Sequence, residues 1–145
     1  GLNIVIIEYN IPRLDFFAAG KTSTDLKHRL IQLGLPPPLI KRIAIAAYEA
    51  EMNIAIHGDG GRAEIDISKD KITTRFIDHG PGIPDIELAM QEGYSTAPEE
   101  IQNMGFGAGM GLPNMKKNAD ELIIQSEPNN GTTVVMHFNL FSGES

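Results

Sequence analysis

In the stretch Ala47–His57, AYEAEMNIAIH, a carboxylate and an amide stand four residues apart, at Glu49 and Asn53. If the stretch is helical, about 100° per residue puts them one turn apart on one side, close to Ile45, Met52 and Ile56. Polar groups set into an apolar face need something to hold. Against a bound nucleotide, Asn53 can offer its amide oxygen to a magnesium ion, a hard cation that shares its oxygen shell with phosphates. Glu49 can then take a proton from an attacking hydroxyl or water. Glu51, projected to the opposite side, is expected to be an ordinary solvated residue.

Two further stretches carry chemistry. Asp78-His-Gly-Pro-Gly82 follows the apolar pair Phe76 and Ile77. An aspartate there can accept a hydrogen bond from the exocyclic amine of adenine, and the glycines allow a close backbone approach. Gly105-Phe-Gly-Ala-Gly-Met-Gly111 sets glycine at every second position before a helical pattern, an arrangement that turns backbone N–H groups and a helix N-terminus toward phosphate. Taken singly, these stretches also read as a polar turn and a flexible loop. Met110 and Leu112 stand where a dinucleotide-binding G-x-G-x-x-G would need glycine, so that fingerprint is excluded. Asp15-Phe-Phe-Ala-Ala-Gly-Lys-Thr22 ends like a phosphate-binding loop but has an acid in place of its first glycine, so Lys21-Thr22 reads better as a helix lead-in.

The elements that must position these groups follow from periodicity. Asn3–Tyr9 is β-branched and reads as a strand closed by Pro12. Thr22-Ser-Thr24 offers hydroxyl caps to a short amphipathic helix with Leu26, Leu30 and Leu33 on one side and Gly34 as its stop. A long helix runs from the prolines at 36–38 to about His57. Ala63, Ile65 and Ile67 alternate with polar residues, Ser68–Lys71 turns, and Ile72–Asp78 returns as the second strand of a hairpin. A long stretch containing Gly80, Gly82, Gly93, Gly105, Gly107 and Gly109 has the length of a functional loop or lid. A helix at Leu112–Ala119, a strand at Glu121–Ser126, a turn at Pro128–Gly131 and a strand at Thr133–Asn139 complete the chain. Hairpins with helices set apart imply an α+β fold: a two-layer α/β sandwich with a mixed, mostly antiparallel sheet and helices on one face.

Composition sets outer bounds. At 145 residues, with 41% hydrophobic and 21% charged residues, one domain over 1–145 is expected. No apolar run approaches a membrane span and no signal segment is visible. The absence of cysteine excludes disulfides and thiolate metal sites and fits a reducing cytoplasm, the expected location. A net charge of -7 argues against nucleic acid as partner. Basic residues cluster lightly, at Lys41-Arg42 and Lys116-Lys117, which read as solvated helix faces.

The ordered set E-x-x-x-N at Glu49–Asn53, D-x-G-x-G at Asp78–Gly82, the glycine loop at Gly105–Gly111 and G-T-T at Gly131–Thr133 resembles the GHKL ATPase superfamily. Asn53-Ile-Ala-Ile-His-Gly58, Gly93-Tyr-Ser-Thr96 and Gly111-Leu-Pro-Asn-Met115 make the chain most similar to bacterial anti-sigma-factor serine kinases and stressosome switch kinases of the RsbW/RsbT type. The likeness spans about Pro38 to Phe138.

The resemblance implies an ATP-binding domain using Mg2+, with Glu49 as general base, Asn53 as magnesium ligand and Asp78 as adenine reader. Gly80 and Gly82 would shape the base pocket. Gly105, Gly107 and Gly109, together with Phe106, Ala108, Met110 and Gly111, would line the phosphates. Thr132 would support the adenine contact through water, and His57 would lie near the phosphates. The implied activity is transfer of phosphate from ATP to a serine or threonine on a small regulatory protein, a STAS-type antagonist or scaffold. The rivals are a nucleotide-controlled module that sequesters a sigma factor, a histidine-kinase catalytic domain or a water-using ATPase; a homodimer stays open. One departure stands out: Tyr94–Met110 contains no lysine or arginine. A cation for the transferring phosphate would have to come from elsewhere, such as Lys116 or the partner.

Overall fold

The computed structural model describes residues 5–13, 20–57, 60–80, 111–126 and 131–140, with Ile56 and His57 described in backbone only. In chain order the elements are β1 (Val5–Ile11), α1 (Lys21–Gln32), α2 (Pro37–His57), β2 (Gly61–Ile67), β3 (Lys71–Asp78), α3 (Gly111–Asn118), β4 (Glu121–Ser126) and β5 (Thr132–Asn139). The strands form one five-stranded sheet in the order β1-β2-β3-β5-β4. Every described pairing is antiparallel, so the expected mostly antiparallel sheet carries no parallel pair among the described strands.

Alternation along the strands builds the sandwich. Ile7 and Ile11, Ala63 and Ile65, Ile72 and Phe76, and Val134, Met136 and Phe138 all turn to one face and are buried. There they meet Leu26 and Leu30 of α1, Ile40, Ile43 and Ile54 of α2, and Leu112 and Met115 of α3 in one apolar cluster. Ala46, Ala47 and Ala50 are fully buried on α2, where small side chains let the central helix approach the elements around it. The opposite sheet face is mainly polar, though Ile6 and Ile123 are exposed on it, and it carries ion pairs Arg75–Asp66 at 2.6 Å and Arg62–Glu64 at 2.7 Å, as expected for a sheet covered on one side.

Two expectations need correction. The hydroxyls of Thr22–Thr24 do not cap α1 from outside: the helix begins at Lys21, and its N-cap is Gly20 at φ 91°, with no side-chain cap of its own. Nor is Glu51 solvated. It is 3% exposed, and its carboxylate accepts the backbone N–H groups of Gly20, Thr22 and Ser23 at 3.0, 3.2 and 3.1 Å. Helical projection put Glu51 correctly away from Glu49, but that side of α2 faces the N-terminus of α1 rather than water. A carboxylate there meets both unsatisfied N–H groups and the positive end of the helix dipole.

Candidate functional site

Four chain segments meet at one end of the sandwich. The C-terminal turn of α2 stops at His57 and the chain re-enters the sheet at Gly61, the register partner of Asp78 at the end of β3. Thr132, at the start of β5, is the other register partner of Asp78. The N-terminus of α3 lies against α2, where Gly111 faces Asn53.

Glu49 and Asn53 are both half-buried along the seam between α2 and α3. Their apolar setting is partial: Met52 is buried, whereas Ile45 is exposed and the Ile56 side chain lies outside the described residues. A Cβ on Gly111 would stand 3.1 Å from Asn53 Oδ1, so the bare backbone lets α3 start directly over the amide. The Asn53 amide oxygen is the atom nearest to where that Cβ would stand, so the polar end of the side chain is turned toward the start of α3. No cluster of three metal-ligating side chains occurs among the described residues. Magnesium is commonly held by one or two protein oxygens together with phosphates and water rather than by a protein cage, and an amide oxygen such as that of Asn53 is a donor of the kind it takes. Glu49 Oε2 accepts a hydrogen bond from Asn114 Nδ2 at 2.7 Å.

Asp78 is oriented by the backbone around it. Its Oδ1 accepts Gly80 N–H at 2.9 Å and Thr132 N–H at 3.2 Å. Thr132 is buried, and its hydroxyl pairs with that of Ser126 at 2.9 Å. Gly131 is required beside it, since φ is 82° and a Cβ would come within 2.3 Å of the Asp78 carbonyl oxygen. The structure therefore brings Asp78, Gly80 and Thr132 into one hydrogen-bonded corner, and Glu49, Asn53 and Gly111 into one interhelical seam. Gly82, Gly105, Phe106, Gly107, Ala108, Gly109, Met110 and the His57 side chain lie outside the described residues. Lys116 and Lys117 occupy the exposed last turn of α3, the end remote from Asn53, where cations complement the helix dipole.

Burial raises the Tyr48 phenol above its ordinary range, and the negative charges of Glu49 and Glu51 push the same way. Asn114 was absent from the sequence-derived site. Its position one turn after Gly111 was the available signal, because residues three apart share a helix face.

Residues 40–142 match the family described as histidine kinase-, DNA gyrase B-, and HSP90-like ATPase. The chain belongs to this family. The matched range spans the E-x-x-x-N, D-x-G-x-G, glycine-loop and G-T-T stretches of this ATPase family member. Among curated relatives, an "Anti-sigma F factor" of Thermoanaerobacter sp. (strain X514) is 42% identical over 107 residues, 68% of this chain and 71% of the relative. The "Serine/threonine-protein kinase RsbT" of Bacillus subtilis (strain 168) is 34% identical over 97 residues, 64% of this chain and 67% of the relative. The fold is shared with the structure of the RsbU and RsbW domains of Rv1364c from Mycobacterium tuberculosis, with TM-score 0.63 and 16% identity over 92% of this chain and 31% of that one. The mycobacterial sensor histidine kinase MprB gives TM-score 0.54 at 17% identity over 93% of this chain and 97% of that one. These two likenesses bear on fold. No described helix of this ATPase domain is long and apolar enough to cross a membrane.

Proposed function

We propose that the protein is an ATP-dependent serine/threonine kinase that phosphorylates a small regulatory partner, with Glu49 as general base, Asn53 as magnesium ligand and Asp78 as adenine reader. The observation that carries this reading is the pairing of Glu49 and Asn53 on successive turns of α2, directly under the helix that follows the glycine-rich segment. The kinase and anti-sigma names of its relatives point to the same class.

Phosphoryl transfer asks for positioning and charge neutralisation more than covalent chemistry from the protein. Asp78, held by Gly80 and Thr132, receives the adenine amine. Glu49 takes the proton from the partner hydroxyl at its carboxylate. The Asn53 amide oxygen would hold magnesium, which when bound would supply neutralisation of phosphate charge. Gly82, Gly105, Phe106, Gly107, Ala108, Gly109, Met110 and His57 complete the nucleotide site as the family pattern implies. The acceptor is a STAS-type antagonist or scaffold protein.

The test is incubation with radiolabelled ATP, magnesium and purified STAS-fold candidates. Label on a partner serine or threonine that disappears in Glu49→Ala, with nucleotide binding retained, is the expected result. Nucleotide binding without transfer to any partner would overturn the kinase reading. It would favour a second one, a nucleotide-controlled module that sequesters a sigma factor, which two observations support: the anti-sigma name of the Thermoanaerobacter relative and the lack of lysine and arginine across Tyr94–Met110.

A further inference from the structure

The geometry points to Asn114 as the positioning residue for Glu49, an inference that rests on the reading of Glu49 as general base. Among the described residues the Glu49 carboxylate has one hydrogen-bond donor, Asn114 Nδ2 at 2.7 Å. A carboxylate on a flexible side chain at a half-buried seam has several rotamers, and a single short donor selects among them. One donor takes only one of the carboxylate's roughly four lone-pair sites, so it can orient the group without filling it.

The location of Asn114 gives this contact a second consequence. Gly111, one turn earlier on the same side of α3, is the residue seated on Asn53. One turn of α3 thus touches both functional side chains of α2: its first residue leaves room for the amide, and its fourth orients the acid. This turn directly follows the glycine-rich segment in the chain. A shift of α3 along α2 would therefore move base and amide settings together.

The seating of α3 does not depend on Asn114. Leu112 and Met115 anchor the helix in the core. At its other end Arg42 of α2 donates from Nε to the Asn118 carbonyl oxygen at 2.9 Å and from its guanidinium to Asp120 at 3.0 Å. The Asn114 amide can thus be replaced while both helices stay in place.

The test compares wild type, Glu49→Ala, Asn114→Leu and Asn114→Asp in single-turnover loss of the γ-phosphate from MgATP. Free phosphate and label on a STAS-fold candidate are counted together, and ATP affinity is measured in parallel. Asn114→Leu, similar in size but without a donor, is expected to slow turnover about tenfold while ATP affinity stays within about twofold. Asn114→Asp sets a second carboxylate against the first, so the two share a proton, and the acid limb of the pH–rate profile moves to higher pH. Turnover in Asn114→Leu within about twofold of wild type, or above it, with Glu49→Ala inactive, overturns the positioning role and leaves the base in place. Equal losses of affinity and turnover in both Asn114 variants mark a structural role and overturn it as well. Absence of wild-type turnover, or turnover indifferent to Glu49→Ala, removes the base itself, and the role of Asn114 falls with it.

Discussion

Asp78 shows how much backbone is spent on fixing one side chain. Gly61 and Thr132 flank it in register, Gly80 and Thr132 donate to its Oδ1, and Gly131 is bare because the Asp78 carbonyl occupies the space of a Cβ. Replacing it by asparagine keeps the shape and an acceptor oxygen but removes the charge. Asp78→Asn is therefore expected to lower ATP affinity by about tenfold or more with little change in melting temperature, measured by titration calorimetry. Unaltered affinity would take Asp78 out of the base pocket. A second polar knot lies away from the site, where the Tyr9 hydroxyl donates to Asp25 at 2.6 Å and Arg29 Nε donates to the same oxygen at 2.8 Å. Burial, and then the bond to Asp25, raise the Tyr9 phenol beyond its ordinary range. The folded state therefore keeps this proton after the unfolded chain has begun to lose it near pH 10. The stabilisation is complete below that pH and is lost as pH rises toward the folded-state value. Tyr9→Phe is expected to flatten the alkaline fall in chemical-denaturation stability between about pH 9 and 11. An unchanged slope would contradict the assignment.

At the scale of elements, the joint between α1 and α2 rests on Glu51. Its carboxylate supplies three acceptor contacts to the first turn of a helix whose own N-cap is a glycine. Glu51→Ala would leave buried N–H groups without partners and is expected to cost about 2–4 kcal/mol, read as a lower urea midpoint. Glu51→Gln, which keeps one acceptor oxygen, should cost less. The helical period of α2 was legible from its apolar spacing, and so was the separation of Glu51 from Glu49. Which side faced water was not, because that depends on where α1 docks, whose first turn is 28 to 31 residues from Glu51 in sequence. The same holds for Asn114 and Glu49, 65 residues apart.

For the molecule as a whole, a ligand that binds only the folded state adds stability by mass action. With ATP and magnesium at about 100 times the dissociation constant, the gain is about 2.7 kcal/mol, or about 5–10 °C in melting temperature for a chain of this size. Chelating magnesium should remove part of this shift in wild type, and Asn53→Ala should show no such magnesium-dependent part. A shift equally sensitive to chelator in both would place the metal on other ligands.

The order of the described strands and helices and the one-sided sheet were determined by the sequence read locally. Alternation of period two, helical spacing and glycine placement each operate over a few residues, and the described elements differ from the expected ones mainly at their ends. Tertiary structure alone decided the sheet order that sets Asp78 between Gly61 and Thr132, the docking that turns Glu51 into the cap of α1, and the helix seam that hands Asn114 to Glu49. Those contacts join residues far apart in the chain. Their partners are chosen by how the layers pack, which no local pattern encodes.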